Sequence, residues 1–170
     1  MFFSIILFIY FLTTLSASHK QFDLIQPNQK QTGEVILCRN CGNDVTASNF
    51  IISESSPESR YTFNDTLFNR DEVMVQMLLS DFFIHFPVIT TTQSSCMPTG
   101  EWKDIDSWFP DYIWRPCLCP ECGAYIGRVF KPSKSNKINS TEQFYGLILE
   151  SLIGETFTDS IIQYPTILGN

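Results

Sequence analysis

The sequence has few basic residues and almost no histidine. Eleven Lys and Arg residues stand against eighteen Asp and Glu residues, giving a formal net charge of −7. An acidic chain of this kind repels a phosphate backbone, so we expect no nucleic-acid partner. The only histidines are His19, at the predicted leader boundary, and His85. The sequence therefore offers few candidates for a histidine that acts as a general base.

Long hydrophobic runs are confined to the N-terminus. Residues 1–15 are almost wholly apolar and precede the small residues Ser16, Ala17 and Ser18, a pattern typical of a cleaved secretory leader. The run is shorter than the roughly 20 residues that a membrane span requires. Its first residues contain no Lys or Arg, which keeps an uncleaved anchor as the alternative. We predict a signal peptide over residues 1–18, an extracellular protein and no stable membrane insertion after cleavage.

The remaining chain predicts one folded domain with short strands rather than long helices. Hydrophobic residues make up 44% and aromatic residues 14%, which is too apolar for a disordered chain. Residues 53–60 and 132–141 are rich in turn-forming residues and are predicted to be exposed loops. Residues 71–86 fit either a strand, in which Val73 and Val75 alternate, or a helical face.

Four cysteines form two Cys-x-x-Cys pairs, Cys38 with Cys41 and Cys119 with Cys122. Each short loop lets two sulfurs meet one ion, and four thiolates suit the tetrahedral coordination of Zn²⁺. A Gly follows each pair, so residues 38–44 are predicted to form a metal-binding turn within a hairpin. The alternative is a cluster of disulfides, which secretion would permit.

The other two cysteines, Cys96 and Cys117, are predicted to form a disulfide. Closing a loop of this length stabilises a fold by about 3 kcal/mol in the chain-entropy model. Cys117 also stands two residues before Cys119, and on a strand the two sulfurs would share a face, so Cys117 could compete as a metal ligand.

Two sequons, at Asn64 and Asn139, predict N-glycosylation of a secreted chain.

A tryptophan-rich segment, residues 107–114, precedes the second cysteine pair. If residues 110–112 form a three-residue loop, Trp108 lies opposite Trp114 with both rings on one face of a hairpin. Two facing indoles would form a slot for a flat or cationic group. The alternative is that these aromatic residues are simply buried core.

This segment and the residues after it resemble the CULT domain, the thalidomide-binding domain of cereblon. The resemblance spans about residues 35–153 and is closest to single-domain members that carry a signal peptide. It rests on Ser107, Trp108, Phe109, Pro110, Tyr112, Trp114, Cys119, Cys122, Tyr125, Ile126, Gly127, Phe130, Phe144, Tyr145, Gly146, Leu147, Ser151 and Leu152.

The resemblance implies an all-β fold of two antiparallel sheets, pinned by Zn²⁺ on the four paired cysteines, over residues 33–155 with a C-terminal tail at 156–170. It also implies a non-catalytic aromatic cage for cyclic imides or similar small planar ligands. Trp108 and Trp114 would be its walls and Phe130 its base. The backbone around Asp106 and Trp108 would hydrogen-bond the imide. Protein partners are not indicated.

Two departures from the family pattern bear on the cage. The third cage tryptophan of the family is replaced by Arg128, whose planar guanidinium can stack on an indole as part of a wall or can fill the slot. The turn glycine of the family is replaced by Asp111, a residue that tolerates a positive φ.

Two other classes of function remain as alternatives. Methionine sulfoxide reductases of the B type share this architecture and the paired zinc sites, and Cys96 and Cys117 could act there as attacking and resolving thiols. The scarcity of histidine disfavours that interpretation, because a nucleophilic thiol needs a base or cation beside it. The third possibility is a structural or interaction module with a closed cage.

Overall fold

The computed structural model describes residues 33–79, 83–133 and 143–161. The predicted signal peptide, the sequon at Asn139 and the residues after 161 lie outside these ranges. Among the described residues, no helix is long and apolar enough to cross a membrane.

The described residues form two antiparallel sheets and one short helix, which confirms the predicted all-β class. The small sheet has the order β11-β1-β2, with β1 (Val35–Cys38), β2 (Asp44–Ala47) and β11 (Leu152–Gly154). The large sheet has the order β4-β5-β6-β10-β9-β8-β7, and β3 also pairs with β6. Its eight strands are β3 (Ile51–Ile52), β4 (Thr62–Leu67), β5 (Arg70–Leu79), β6 (His85–Thr91), β7 (Met97–Pro98), β8 (Tyr112–Leu118), β9 (Tyr125–Pro132) and β10 (Phe144–Ile148). Short 3₁₀ turns occupy Ser48–Phe50 and Leu149–Ser151, and α1 spans Glu155–Ile161.

Most of the segment that fitted either a strand or a helix, residues 71–86, lies in strand β5 (Arg70–Leu79). Val73 and Val75 are buried on one face, while Gln76 and Leu78 are buried on the other. Since successive side chains of a strand point to opposite faces, this pattern places β5 inside the fold with both faces covered. The helical alternative was wrong because the apolar residues pack on two sides rather than along one stripe.

The large sheet carries a hydrophobic cluster on each face. Val88 and Ile89 are neighbours on β6, yet they belong to different clusters. The Ile89 cluster includes Ile36 and Val45, so it fills the space between the two sheets. The cluster on the Val88 side is mainly aromatic and comprises Leu78, Val88, Trp108, Phe109, Tyr112, Trp114, Phe130, Phe144 and Ile148. The tryptophan-rich segment therefore packs on the face of the large sheet that points away from the small one.

Candidate metal centre and aromatic slot

Each Cys-x-x-Cys pair lies on a tight turn at the end of a strand. In the first turn the Gly42 N–H donates to the Cys38 carbonyl oxygen at 2.8 Å, and in the second the Gly123 N–H donates to the Cys119 carbonyl oxygen at 2.9 Å. The two glycines have φ values of 76° and 70°. Glycine reaches this left-handed region at no steric cost, which lets the chain reverse within the length of each loop. Two similar turns thus present two sulfurs each.

The four sulfurs come together in one group, which we call the four-cysteine cluster: Cys38, Cys41, Cys119 and Cys122. They all lie within 4.8 Å of one another. The Cys38 and Cys122 sulfurs are 3.7 Å apart, and the Cys41 and Cys119 sulfurs are 3.6 Å apart. Sulfurs bound at about 2.3 Å around a tetrahedral ion would be separated by about 3.8 Å. All four cysteines are free thiols, so the cluster is a candidate metal site rather than a pair of disulfides.

Hydrogen bonds, desolvation and the neighbouring thiols together set the pKa values of Cys41 and Cys122. The Asn40 side chain and the Ala124 N–H favour the Cys122 thiolate and lower its pKa to about 6. At Cys41 the Asn43 N–H also favours the thiolate, but desolvation and the neighbouring thiols outweigh it and raise the pKa to about 12. A nearby cation would favour loss of the proton that Cys41 holds, so a metal bound here would release protons as it binds.

Cys96 and Cys117, the pair expected from the sequence, form a disulfide with Cα atoms 5.5 Å apart. The two residues are 4% and 0% exposed, and they belong to the cluster between the sheets. The bond joins the residue before β7 to β8 and leaves Cys117 unable to act as a metal ligand.

The tryptophan-rich segment does not form the hairpin that its spacing suggested. The Tyr112 N–H donates to the Phe109 carbonyl oxygen at 2.9 Å, so β8 begins at Tyr112 and Trp108 lies outside it. Trp114 pairs instead with Lys103 on one side and with Phe130 of β9 on the other. The predicted register of Trp108 with Trp114 was therefore wrong, although the two rings still meet through the loop that precedes β8.

The guanidinium of Arg128 occupies the space between the two indoles. Its Cζ lies 4.2 Å from the Trp108 ring centroid and 3.7 Å from the Trp114 ring centroid. Its Nη1 donates a hydrogen bond of 2.9 Å to the Asp106 carbonyl oxygen. Arg128 is 2% exposed, and the indoles are 3% and 2% exposed. The two indoles therefore do not enclose an open slot, because a side chain of the same chain lies between them.

Strand register explains why Arg128 reaches this position. Phe130 lies directly opposite Trp114, and Arg128 is two residues earlier on β9, so it points to the same face. Such a diagonal neighbour lies within reach of a long side chain. Phe130 packs beneath the slot, with its ring centroid 6.1 Å from that of Trp108. The residue with positive φ in this region is Asp106, at 52°, and not Asp111.

Several groups that fix the indoles were not found by sequence reasoning. The Trp108 Nε1–H donates to the Leu79 carbonyl oxygen at 2.7 Å, and the Trp114 Nε1–H donates to the Ile105 carbonyl oxygen at 2.8 Å. The Ser56 hydroxyl donates to the Trp108 carbonyl oxygen, and Ser56 is buried although it lies in a predicted exposed loop. A sequence does not show which backbone carbonyls will accept these hydrogen bonds. It also does not show that one serine in a polar stretch will be buried.

Gly146 of β10 allows the rings to pack closely on the sheet. A Cβ at this position would lie 3.1 Å from a ring carbon of Phe130 and 3.5 Å from one of Trp108. A larger residue would push the base and one wall of the slot outward.

A groove opens beside the slot and does not include Arg128. Its volume is 390 Å³, and its lining residues are Glu58, Leu79, Phe83, His85, Asp106, Ser107 and Trp108. Two carboxylates and one histidine face this groove, so its polar side is suited to a cationic or hydrogen-bond-donating group.

Trp102 lies outside the slot and contacts two other cations. The Arg115 Cζ is 4.3 Å from its ring centroid, and the Lys131 Nζ is 4.0 Å from it. Trp102, Arg115 and Lys131 are only half-buried, in contrast to the enclosed Arg128.

Comparison with the known protein families finds none that matches this chain. The class of this protein is therefore given by its own structure. It is a small β-rich domain with a candidate metal site of four cysteines and a buried aromatic cluster.

Proposed function

We propose that this chain is a secreted, zinc-stabilised and non-catalytic binding module of the CULT type, whose aromatic slot is held closed by its own Arg128. The observation that carries the proposal is the guanidinium between the two indoles, hydrogen-bonded to the Asp106 carbonyl. The two indoles and the Asp106 carbonyl oxygen would form a site for a planar group that carries an N–H. In this chain the Arg128 guanidinium is that group.

Zinc is supported by the donors and their spacing. Four thiolates without histidine or carboxylate ligands favour a soft or borderline metal, and the tetrahedral spacing of the four-cysteine cluster suits zinc. The set is closed, with four protein ligands, which is typical of structural rather than catalytic zinc. The ion would hold the end of β1 against the end of β8, two segments far apart in the chain.

The resemblance to the CULT family supports the assignment of the slot. In that family, the backbone around the positions of Asp106 and Trp108 binds a cyclic imide between tryptophans. Arg128 stands where the third tryptophan is expected, and its Nη1–H points to the same carbonyl that an imide N–H would use. An external ligand would have to displace a side chain that is nine-tenths or more buried. The part of such a ligand that lies outside the slot would extend into the 390 Å³ groove.

A binding role rather than a redox role is supported by the state of the cysteines. Cys96 and Cys117 are buried between the two sheets, so neither sulfur is placed to meet a sulfoxide substrate. His85, the one histidine among the described residues, lines the groove beside Trp108, and none of the groove residues is a cysteine. A disulfide also fits an oxidising compartment, in line with the predicted leader.

The test is a titration of the purified, metal-loaded protein with glutarimide, followed by indole emission. Wild-type protein should respond only at a higher glutarimide concentration than Arg128→Ala, because the ligand has to displace the Arg128 side chain. Arg128→Ala should respond, since the slot is emptied while Trp108, Trp114 and the Asp106 carbonyl remain. Arg128→Ala combined with Trp114→Ala is the matched control and should lose the response.

Two outcomes would contradict the proposal. A wild-type response as strong as that of Arg128→Ala would mean that the arginine does not close the slot. Absence of any response from a folded, zinc-loaded Arg128→Ala protein would mean that the slot is only a packing arrangement.

A further inference from the structure

The edges of the two sheets differ sharply in how they are protected. At one end of the large sheet, β7 has only two residues, Met97 and Pro98. Proline offers no N–H to a new strand, and a very short edge gives little to pair with. The disulfide of Cys96 also fixes this end.

The small sheet has one covered edge and one short edge. At β2, the Ser95 N–H donates to the Val45 carbonyl oxygen at 2.8 Å, and the Thr46 hydroxyl donates to the Gln93 carbonyl oxygen at 2.7 Å. Residues 93–95 thus lie along that edge. At the other end, β11 has three residues and continues directly into α1.

Strand β4, at the far end of the large sheet, has neither kind of protection. It spans six residues, Thr62–Leu67, without Pro or Lys and with Asp65 as its only charge. Five of the six are exposed, and the sixth is half-buried. Tyr61 and Phe63 stack at the start of this edge, with ring centroids 6.0 Å apart, and are 55% and 42% exposed. Its pairing with β5 shifts register between Asp65 and Leu67 but is regular over residues 62–65, and this exposed, aromatic part of the edge is a template for pairing with another chain.

The middle of β4 carries an acceptor for carbohydrate. Asn64 begins the sequence Asn64-Asp65-Thr66, and its side chain is exposed. Its Nδ2 donates to a Glu72 carboxylate oxygen at 2.7 Å on the neighbouring strand. Of the two sequons, this is the one within the described residues, and it lies on the one long edge strand that nothing described covers.

We propose that Asn64 carries an N-linked glycan whose role is to cover the β4 edge and prevent it from pairing with β4 of a second copy. The inference rests on the secretory entry included in the proposed function. It goes beyond that function, because it assigns a purpose to one particular sequon. A hydrated, branched carbohydrate at the centre of the edge would block an approaching strand as an edge lysine or proline does elsewhere.

The attachment is a group transfer from a lipid-linked oligosaccharide diphosphate. The Asn64 Nδ2 forms a bond to the anomeric carbon of the sugar, and the bond from that carbon to the diphosphate oxygen breaks. The lipid diphosphate leaves with the bonding electron pair, and Nδ2 gives up one proton. Nothing is oxidised or reduced. One N–H remains on Nδ2, so the hydrogen bond to Glu72 can persist.

The experiment compares sequon variants secreted from a eukaryotic cell line. Asn64→Gln and Thr66→Ala both remove this sequon, by different side chains, and Asn139→Gln is the matched control. Both β4 variants should lose one glycan in a gel-mobility assay. In sedimentation velocity they should shift from monomer toward a dimer of twice the mass as concentration rises. Asn139→Gln should stay monomeric. Adding Phe63→Lys to Asn64→Gln should restore the monomer, because a charge on the edge opposes strand pairing.

Endoglycosidase trimming of purified, folded wild-type protein separates shielding from assisted folding, and it should produce the same dimer. An unglycosylated Asn64 in a secreted chain would overturn this inference and leave the proposed function intact. A glycosylated Asn64 whose removal leaves a monomer would overturn the shielding role. Failure of the chain to enter the medium at all, with neither sequon used, would instead count against the secretion in the proposed function.

Discussion

Replacement of Arg128 by alanine should destabilise the domain by about 3 kcal/mol. A cation stacked on an aromatic ring contributes roughly 1–2 kcal/mol when desolvated, and Arg128 has two such contacts. Its hydrogen bond to the Asp106 carbonyl adds about 1.5–3 kcal/mol, as is usual for a charged donor. Relief of the buried charge offsets part of this sum, which leaves a net loss of about 3 kcal/mol.

Urea unfolding followed by tryptophan emission measures the loss. Guanidinium salts are unsuitable, because the denaturant could enter the emptied slot. Arg115→Ala is the matched control, since Arg115 stacks on Trp102 at a similar distance but is only half-buried. It should cost about 1 kcal/mol, because a cation–π pair that keeps part of its contact with water contributes less than a desolvated one.

Chemical rescue tests the same reasoning from the opposite direction. If the guanidinium contributes about 3 kcal/mol, free ethylguanidinium should bind the Arg128→Ala slot with Kd of about 6 mM at best, because a free ligand also loses translational freedom. At a ligand concentration of about 50 mM, it should restore at most about 1.3 kcal/mol. Ethylammonium, which is not planar, should restore less. A loss below about 1 kcal/mol for Arg128→Ala, or equal rescue by both cations, would refute the stacking argument.

Three further outcomes are expected. Because the raised pKa of Cys41 makes protons compete with the metal, zinc affinity should fall from pH 8 to pH 6 in a competition with a chromophoric chelator. Joint replacement of Cys96 and Cys117 by alanine should lower the urea-unfolding free energy by about 3 kcal/mol, and an unchanged midpoint would contradict this. Gly127→Ala should separate β9 from β10, because its Cβ would clash with the Gly146 carbonyl oxygen; an unaltered circular-dichroism melt would show that the strands adapt.

The two cysteine turns could be predicted because their determinants are local. A Cys-x-x-Cys spacing followed by glycine specifies a turn that aims two sulfurs at one point, whatever the rest of the fold does. The fold class followed from short strands and from the family resemblance. The strand character of residues 70–79 did not follow, because a strand covered on both faces loses the alternation of apolar and polar residues that would identify it.

The aromatic slot could be predicted only in part, because its geometry depends on distant segments. Trp108 and Trp114 were expected to meet across a hairpin, but Lys103 takes that place beside Trp114. The position of Arg128, as part of a wall or between the walls, depends on the register of β8 and β9 and on the Asp106 carbonyl oxygen. Neither can be inferred from the residues next to Arg128 in the sequence. Burial of a charged residue is rare, so residue type alone argued against it.

The separation of the two cysteine turns along the chain has a consequence for biosynthesis. The Cys38 and Cys122 sulfurs that meet in the folded protein are 84 residues apart in the chain. At ribosomal rates of about 5–20 residues per second, the first turn emerges roughly 4–17 s before its counterpart. During that interval two unprotected thiols are available to any oxidant. The yield of correctly assembled protein should then depend on whether the second pair arrives before the first two thiols are oxidised.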